Sequence, residues 1–377
     1  MKRSLIYFLC LVSAVVIVFA VRALNQERVW TATASAPAVS LTVATSSLLA
    51  TNSEQPTTTS SIEAASSTTI AEASESTSTR LLFVGDIMLD RKVADRIRVA
   101  HDPLYPFRHL PIGWFSSFDG SIANVEGPFV QTRVPSTKVI DFRFDPALIP
   151  ALKSTGLSIV SQANNHSLDQ GKAGAAESTA RLRQAGFVVF GHETRDDPAI
   201  AYATTTIQGV RFAFVGFNTT EPFWNQDMMA KTMQAAHRSA DHVIVCMHWG
   251  VEYHDHPTIE QQTLGRWLID QGADVVIGGH PHWVESIESY HGHPIVYSLG
   301  NFVFDQDFSK ETEQGLGVEV DMTGGHMSLK FWPLAIEASQ PRVMEGPERQ
   351  RALDDLASIS DVSLKQGIEQ GEVQFSF

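Results

Sequence analysis

The sequence predicts an α/β fold in which two stacked β-sheets are flanked by helices. Between residues 81 and 277, short apolar runs typical of buried strands alternate with longer stretches typical of helices. After residue 283, consecutive strand-like runs are joined by turns, some of them containing glycine, as is typical of hairpins. Alternating strands and helices followed by hairpins fit two stacked sheets with helices on their outer faces.

The predicted elements follow from apolar runs and from the residues that end them. Pro146 in a first turn and Gly156 after a last turn bound one helix, and Gly186 closes another. The predicted strands are residues 81–84, 121–123, 157–160, 187–190, 202–207, 211–217, 242–247, 273–277, 284–290, 294–299, 316–322 and 326–332. The predicted helices are residues 88–99, 146–155, 172–184, 225–239, 259–271 and 348–358.

Composition limits the classes of function. The 377 residues are enough for one large domain or two small ones, and 43% of them are hydrophobic. The net charge of -14 argues against a nucleic-acid partner, because such proteins neutralise phosphates with Lys and Arg. Cys10 and Cys246 lie in separate apolar segments, so we expect no disulfide between them. We predict that Cys246 is a small buried side chain.

Residues 1–24 predict a membrane anchor. Lys2 and Arg3 precede an uncharged apolar span that ends at Arg22. As a helix, this span of roughly 18 residues would measure roughly 27 Å, near the lower limit for crossing a bilayer. The basic residues should stay in the cytoplasm and leave the rest of the chain outside. A cleaved signal peptide and a secreted protein are the alternative, although Val21-Arg22-Ala23 is a poor cleavage site.

The remaining chain divides by composition. Residues 25–79 are rich in Ser, Thr and Ala and lack a periodic apolar pattern, which predicts a disordered tether. The composition changes abruptly at Leu81, so we place the main domain at residues 80–340. Residues 341–377 are predicted to form a helical tail.

Six polar motifs supply the chemistry, and most of them follow a predicted strand. Sites in α/β proteins gather at the carboxyl ends of strands, so these motifs are expected to converge. The motifs are Gly85-Asp86-Ile87-Met88-Leu89, Asn124-Val125-Glu126-Gly127-Pro128, Asn164-Asn165-His166, His248-Trp249-Gly250-Val251-Glu252-Tyr253, Gly279-His280-Pro281-His282 and Ser298-Leu299-Gly300-Asn301-Phe302-Val303-Phe304-Asp305.

These motifs predict a divalent metal site. Divalent ions outside the thiol-binding class take carboxylate, imidazole and amide oxygen ligands. The two imidazoles of His280 and His282 follow a buried strand, and Gly279 permits a tight backbone beside them. The predicted ligands are Asp86, Glu126, Asn165, His248, His280 and His282. Manganese, zinc and iron all remain open as the ion.

The predicted catalytic pair is His166 and Asp169. His166 would donate a proton to a leaving group. Asp169 would either cap the following helix or accept a hydrogen bond from the second ring nitrogen of an imidazole. The alternative interpretation of this segment is a plain turn, because Asn tolerates left-handed backbone and caps helices well.

Seven further residues are predicted to contact substrate or to support the ligands. Trp249 and Tyr253 would wall the pocket, and Glu252 would bind an amine or a histidine, or form an ion pair. Asn301 and Asp305 would either steady the ligands or form a turn. The seven are Asn124, Asn164, Trp249, Glu252, Tyr253, Asn301 and Asp305.

Taken together and in this order, the motifs resemble those of the CapA family of bacterial capsule (poly-γ-glutamate) synthesis proteins. The resemblance covers residues 81–332. That family is itself similar to calcineurin-like metallophosphoesterases, whose fold is a two-sheet sandwich covered by helices. The resemblance therefore implies a four-layer α/β/β/α sandwich.

The resemblance also implies two unequal halves of a metal site. One half would consist of Glu126, Asn165, His248 and His280. The other would retain Asp86, Glu126 and His282. In the phosphoesterases the first motif is Asp-x-His, whereas Met88 stands at the histidine position here, and a thioether binds hard divalent ions poorly. We therefore expect one tightly bound ion, held by the first half.

The functional expectation is a membrane-anchored, extracytoplasmic CapA-like protein that acts in capsule polymer biosynthesis through a metal-dependent hydrolase-like site. Its expected partners are the membrane, the anionic polymer and subunits of the polymer synthase. Two alternatives remain open. One is a non-enzymatic subunit that binds polymer or assists the synthase, and the other is a general secreted metallophosphoesterase.

Overall fold

Two β-sheets pack face to face in the computed structural model, which describes residues 78–135, 138–191, 201–221 and 225–376. The first sheet contains β1 (Thr79–Ile87), β2 (Gly120–Val125), β3 (Ile159–Ser161), β4 (Val188–Phe190), β11 (Asn301–Val303), β12 (Gln314–Thr323), β13 (His326–Glu337), β14 (Gln340–Val343) and β15 (Glu372–Ser376). The second sheet contains β5 (Tyr202–Ile207), β6 (Val210–Asn218), β7 (His242–His248), β8 (Val275–Gly279), β9 (Ile287–Tyr290) and β10 (His293–Val296).

Each sheet combines parallel and antiparallel strands: in the first sheet the parallel strands extend to the β4 edge, whereas in the second sheet both edges are antiparallel. The first sheet runs in the order β14-β13-β12-β1-β2-β3-β4, with β11 beside β1 and β15 beside β13. Strands β1 to β4 are parallel, and β12 to β14 are antiparallel. The second sheet runs in the order β5-β6-β7-β8-β10-β9, and β6, β7, β8 and β10 are parallel. In each sheet the carboxyl ends of the parallel strands lie at one edge.

Helices cover the outer faces of both sheets. They are α1 (Arg91–Ala100), α2 (Ile149–Ser154), α3 (Gly171–Gln184), α4 (Gln226–Ser239), α5 (Ile259–Asp270), α6 (Gly346–Ile359) and α7 (Lys365–Gln370). Helix α1 begins three residues later than predicted because Asp86 and Ile87 continue β1 in its pairing with β2 and β11. The Asp90 carboxylate then accepts a hydrogen bond from the Arg91 backbone N–H at the start of the helix.

Three apolar cores hold the layers together. The central core joins the two sheets, as in the contact between Phe83 of β1 and Phe214 of β6, whose ring centroids are 6.5 Å apart. A second core lies between the first sheet and helices that include α1 and α3, and a third lies between the second sheet and α4 and α5. The prediction of two stacked sheets flanked by helices is confirmed.

The C-terminal residues add strands that were not predicted from the sequence. Within residues 341–377, expected to be a helical tail, β15 pairs with β13, with Val373 opposite Leu329. Helix α6 buries Leu353 in the central core, and α7 buries Ile368 there as well. The tail therefore belongs to the main domain. The alternation of Val373 and Phe375 with exposed residues is the strand signal that was missed.

The predicted membrane anchor at residues 1–24 lies outside the described residues, as does nearly all of the predicted tether. Within the part of the chain that the structure describes, no helix is both long enough and apolar enough to cross a bilayer.

Candidate metal centre

Polar side chains from three strands stand side by side at one edge of the first sheet. Asp86 of β1 lies opposite Asn124 of β2 on one side and opposite Asn301 of β11 on the other. In the second sheet, His248 at the end of β7 lies opposite Gly279 at the end of β8. The parallel strands of the two sheets therefore bring the predicted motifs to one location.

Gly85 permits the close approach of β1 to the loop before β11. A Cβ atom at Gly85 would lie 2.0 Å from the carbonyl oxygen of Gly300, a distance at which atoms overlap. A Cβ atom at Gly279 would lie 3.1 Å from Oδ1 of Asp86, which is also tighter than an ordinary contact. These glycines let the backbone pack directly against the site.

Asp86, Glu126 and His282 form a buried group of possible ligands. One ligand atom from each lies within 4.8 Å of the other two. Glu126 is fully buried, and neither of its carboxylate oxygens has a hydrogen-bond partner among the described residues. An unpartnered buried carboxylate is costly, and a cation would satisfy it. This donor set fits a divalent ion.

The two carboxylates differ in their protonation. Burial and the negative charge of Asp86 raise the pKa of Glu126 well above its usual value. Burial also acts to raise the pKa of Asp86, but the contact with His282, whose Nδ1 lies 3.6 Å from Oδ2, and the nearby imidazoles outweigh it and hold that pKa below its usual range. The Asn124 amide and the His280 backbone N–H also donate to Asp86, at 2.8 and 3.3 Å. An incoming ion would therefore displace a proton from Glu126.

Asn301 orients the ring of His282. The amide nitrogen of Asn301 donates to the backbone carbonyl of Thr312 at 3.0 Å, and a carbonyl can only accept. The amide oxygen of Asn301 therefore faces His282, where it lies 3.0 Å from Nδ1. Nδ1 therefore donates in this contact, and Nε2 of His282 is the ring nitrogen that remains to bind an ion.

A second ligand group shares His282. Glu252, His280 and His282 each offer an atom within 4.8 Å of the others, and Glu252 is exposed. Burial lowers the pKa of His280 well below its usual value, and its Nδ1 has no hydrogen-bond partner within the described chain. Glu252 was expected to bind an amine or a histidine or to form an ion pair. Its position instead makes it a possible ligand near the surface.

His248 and Asn165 contact each other. Nε2 of His248 lies 2.9 Å from Oδ1 of Asn165, and its Nδ1 lies 3.4 Å from Nδ2 of Asn124. Burial lowers the pKa of His248 to about 3, so the ring is neutral. The described residues thus bring together the half of the site that contains Asp86, Glu126 and His282. The half expected to hold the tight ion has its His248 and Asn165 groups engaged with each other.

Asn164 sets the orientation of Asn124. The amide nitrogen of Asn164 donates to the carbonyl of Val125 and to Oδ1 of Asn124, both at 2.9 Å. The amide nitrogen of Asn124 must then face Asp86 and His248. Both asparagines therefore act as supports for the ligands.

His166 and Asp169 form a hydrogen-bonded pair beside the ligand group. Nδ1 of His166 lies 2.6 Å from Oδ2 of Asp169, and Nε2 lies 3.9 Å from Oε1 of Glu126. Burial acts to raise the pKa of Asp169, but hydrogen bonds from His166 and Lys138 hold it below its usual value. The ionised Asp169 keeps the proton on Nδ1, so Nε2 faces the ligands. Of the two roles expected for Asp169, the structure shows the orientation of an imidazole.

Comparison with known families bears on this arrangement. The family model described as bacterial capsule synthesis protein, PGA_cap, matches residues 80–306, which is more than half of the chain. The chain belongs to the PGA_cap family.

Three relatives extend the similarity beyond the PGA_cap match. The capsule biosynthesis protein CapA of Bacillus anthracis is 30% identical over 294 residues, which cover 71% of this chain and 70% of that protein. The PGA biosynthesis protein CapA of Bacillus subtilis is 27% identical over 312 residues, which cover 78% and 81%. A probable polyglutamine synthesis accessory protein of Mycobacterium tuberculosis is 26% identical over 288 residues, which cover 67% and 75%.

Solved structures also resemble this PGA_cap chain. A hypothetical protein from Thermus thermophilus aligns with a TM-score of 0.43 at 18% identity and covers 71% of this chain and all of that protein. A phosphatase from Mycoplasma pneumoniae aligns with a TM-score of 0.40 at 12% identity and covers 72% and 92%.

Three of the predicted supporting residues of the PGA_cap site need separate descriptions. Trp249 does not wall the site as expected: its ring packs in the core on Tyr297, and its Nε1–H donates to the Tyr297 carbonyl at 2.8 Å. Tyr253 lies at the surface, with its ring 6.0 Å from that of His282. Asp305 is buried and forms an ion pair with Arg91.

Met88 is turned toward the start of α1. Its side chain is fully buried in the core beneath the helices, and its sulfur accepts a hydrogen bond from the Asp90 backbone N–H at 3.0 Å. In this PGA_cap chain the thioether therefore serves packing and local backbone geometry.

A cavity of about 30 Å³ lies beneath the PGA_cap site, between the two sheets. Asp86, Asn124 and His248 line it on one side, and Cys246 lines it as well. The volume suits one water molecule. Burial raises the pKa of Cys246 to about 12, so its thiol stays protonated and unreactive.

Four residues near the site were not predicted from the sequence. Phe142 lies 4.0 Å from the His166 ring, and Phe304 lies 4.8 Å from the His282 ring, measured between centroids. Gln306 links the Asn301 amide to the Tyr253 hydroxyl, at 3.0 and 3.1 Å. The fourth is Arg91, the ion-pair partner of Asp305. Arg91 and Gln306 adjoin motifs that were identified, and Phe304 lies within one.

Several ligand-bearing turns have left-handed backbone at residues other than glycine. The φ angles are 96° at His280, 60° at His282, 62° at Tyr253 and 51° at Arg91. Such angles are uncommon for residues with a side chain and cost on the order of 1–3 kcal/mol each. The surrounding fold holds these PGA_cap side chains in position against that cost.

Proposed function

We propose that this chain is a CapA-like protein of capsule polymer biosynthesis that acts on an anionic polymer through a divalent-metal-dependent, hydrolase-like site. The family and the names of its Bacillus relatives support the biosynthetic role. The observation that carries the chemistry is the buried group of Asp86, Glu126 and His282, in which Glu126 has no hydrogen-bond partner among the described residues. A core that served only packing would not contain a buried carboxylate without a hydrogen-bond partner.

The residues divide into ligands and a proton donor. Asp86, Glu126 and His282 would hold the first ion, and Glu252 with His280 would add ligands for a second one. A divalent ion supplies Lewis-acid chemistry, which polarises a bond and activates water. His166 would donate a proton from Nε2 to the leaving group, because Asp169 holds the other ring nitrogen.

Metal titration distinguishes the two halves of the site. We expect His282→Ala to remove the tight ion, because His282 belongs to both ligand groups. His248→Ala should weaken binding by a smaller factor, on the order of 10- to 100-fold, because its contacts orient Asn124 and Asn165. The measurement is calorimetric titration with manganese or zinc. Loss of the tight ion in His248→Ala, with His282→Ala unaffected, would instead assign it to the half that contains His248.

A non-enzymatic role is the second proposal. Met88 occupies the position of a histidine in the phosphoesterases, and its sulfur is engaged by the Asp90 backbone. With one ligand fewer, the fold could serve to bind polymer or to assist a synthase. Hydrolysis of a γ-linked glutamate oligomer by the purified protein, lost on chelation and restored by manganese, would support the enzymatic proposal. Oligomer binding without hydrolysis would support the alternative.

We also propose that residues 1–24 anchor the protein and place the domain outside the cytoplasm. The proposal rests on the uncharged apolar span after Lys2 and Arg3. Cell fractionation should recover the full-length chain with membranes, and protease added outside spheroplasts should digest the domain. A soluble mature form that begins near Ala23 would show instead that the segment is a cleaved signal.

A further inference from the structure

Arg91 is held in position near the ligand group by a buried carboxylate. Its Nε donates to Oδ2 of Asp305 at 3.1 Å, and its Nη2 donates to Oδ1 of the same carboxylate. The Asp305 side chain is only 5% exposed, whereas that of Arg91 is 36% exposed. The Lys92 backbone N–H also donates to Asp305, at 3.2 Å. A paired guanidinium on a buried carboxylate has little freedom to move.

Two aromatic rings connect Arg91 to the imidazoles of the site. The guanidinium carbon lies 5.0 Å from the ring centroid of Phe142 and 5.7 Å from that of Phe304. Phe142 contacts the ring of His166, and Phe304 contacts the ring of His282. Arg91 is therefore separated from the proton donor and from a ligand by one aromatic ring in each case.

The guanidinium retains hydrogen-bonding capacity. Asp305 engages Nε and Nη2, and Nη1 makes no hydrogen bond within the described parts of the chain. The edge formed by Nη1 and Nη2 can donate to both oxygens of a carboxylate.

The charges around the site favour such a cation when the substrate is anionic. Asp86, Glu126 and Glu252 contribute carboxylates to the ligand groups. The whole chain also carries a net charge of -14. A fixed positive group beside these carboxylates adds to the charge of a bound divalent ion and favours the approach of an anionic chain.

We propose that Arg91 binds an oxyanionic group of the substrate beside the ligand group and sets a preference for anionic over neutral chains. The inference rests on the proposed function, which makes an anionic polymer the substrate class. Asp305 and the two phenylalanine rings are positioning groups for Arg91. The carboxylate of a γ-linked glutamate unit and a phosphate group share the chemistry that this edge recognises.

The test compares the binding of an anionic oligomer with the binding of its neutral ester. Purified full-length protein loaded with manganese is titrated with a γ-linked glutamate oligomer and with its methyl ester. We expect the unaltered protein to prefer the free acid. Arg91→Gln should lower affinity for the acid on the order of 10- to 100-fold and leave affinity for the ester nearly unchanged. Arg91→Lys should recover part of the preference, because lysine keeps the positive charge but cannot donate two parallel hydrogen bonds to one carboxylate.

Arg80 offers a matched control at the opposite end of β1. Its Nε lies 2.6 Å from a Glu319 carboxylate that is 6% exposed, and its guanidinium carbon lies 5.0 Å from the ring centroid of Phe118. Arg80→Gln therefore removes an equivalent ion pair and ring contact away from the site. It should lower thermal stability as Arg91→Gln does, but keep the preference for the acid.

Two further measurements separate the inference from what it rests on. Manganese affinity should be unchanged in Arg91→Gln, and Arg91→Gln/Asp305→Asn, which leaves no unpaired buried carboxylate, should show the same loss of preference. If the unaltered protein binds neither oligomer but binds inorganic phosphate through Arg91, the oxyanion is a phosphate. An unaltered protein that prefers the acid, with Arg91→Gln retaining that preference, would overturn the inference alone. Binding of neither oligomer nor phosphate would overturn the proposed function as well.

Discussion

Replacing Glu126 with glutamine is expected to abolish binding of the divalent ion and the stability that the ion confers. Neither oxygen of Glu126 has a hydrogen-bond partner in the part of the chain that the structure describes, and Glu126 belongs to the ligand group with Asp86 and His282. A neutral amide keeps the size but loses the charge that the ion needs. At an ion concentration of about 100 times Kd, the unaltered protein should gain about 2.7 kcal/mol of unfolding free energy, and Glu126→Gln should gain almost none.

The effect should depend on pH in a defined direction. Because the pKa of Glu126 is raised in the folded protein, its contribution to stability without metal is present at low pH. That contribution is lost as the pH rises from the unfolded value through the raised folded value. The ion requires the deprotonated carboxylate, so the stabilisation by manganese should increase across the same range. Thermal unfolding of the chelated and manganese-loaded protein between pH 5 and 8 measures both trends.

Glu285 provides the control for this prediction. It is also fully buried with one unpartnered oxygen, and burial raises its pKa to about 8, but its other oxygen accepts from Gln261 at 2.7 Å. It lies outside both ligand groups. Glu285→Gln should keep the full shift with manganese. Equal shifts in Glu126→Gln and the unaltered protein would remove Glu126 from the ligand set.

Loss of His166 or of its partner should reduce turnover of the glutamate oligomer by about 10²- to 10⁴-fold, with metal binding retained. In His166→Gln the proton donor is absent. In Asp169→Asn, an amide replaces the carboxylate that keeps a proton on Nδ1. The amide can donate to Nδ1, but because it is uncharged it no longer stabilises a ring that is protonated at both nitrogens. The measurements are kcat by product release and manganese affinity by calorimetry, made on the same preparations.

An exposed histidine–aspartate pair serves as the control for the loss of turnover in the His166 and Asp169 variants. His256 lies 2.7 Å from Asp255, and both side chains are about two-thirds exposed, at 64% and 66%. His256→Gln should leave turnover unchanged. Normal turnover in His166→Gln would exclude it as the proton donor, and a loss of metal together with turnover would give Asp169 or His166 a structural role instead.

The order of strands and helices could be predicted because each strand carries its own apolar run. Leu81 to Val84 and Val243 to Val245 are buried, and each run leads into a site motif. Parallel pairing places Asp86 beside Asn124, and the packing of the second sheet on the first brings His248 to Asn124, as the positions of the motifs suggested. Local pattern and the general geometry of parallel sheets were sufficient for this much.

Contacts between distant segments could not be predicted in the same way. Arg91 and Asp305 are 214 residues apart, and the sequence contains no local sign that they pair. The tautomer of His282 depends on Asn301, whose amide is in turn fixed by Thr312. The strand β15 belongs to the first sheet only through its pairing with β13. Each of these depends on tertiary packing, which a single sequence does not specify locally.

The left-handed backbone at His280, His282 and Tyr253 has a consequence for directed evolution. Glycine at such a position removes the steric penalty of the side chain, and asparagine tolerates the conformation better than most residues do. A library selected for heat resistance alone would therefore enrich glycine or asparagine at these three positions. The selected variants would be more stable proteins that lack the imidazoles proposed to hold the ion. Selection for melting temperature would thus favour glycine or asparagine at these positions, whereas selection for activity would favour the present residues.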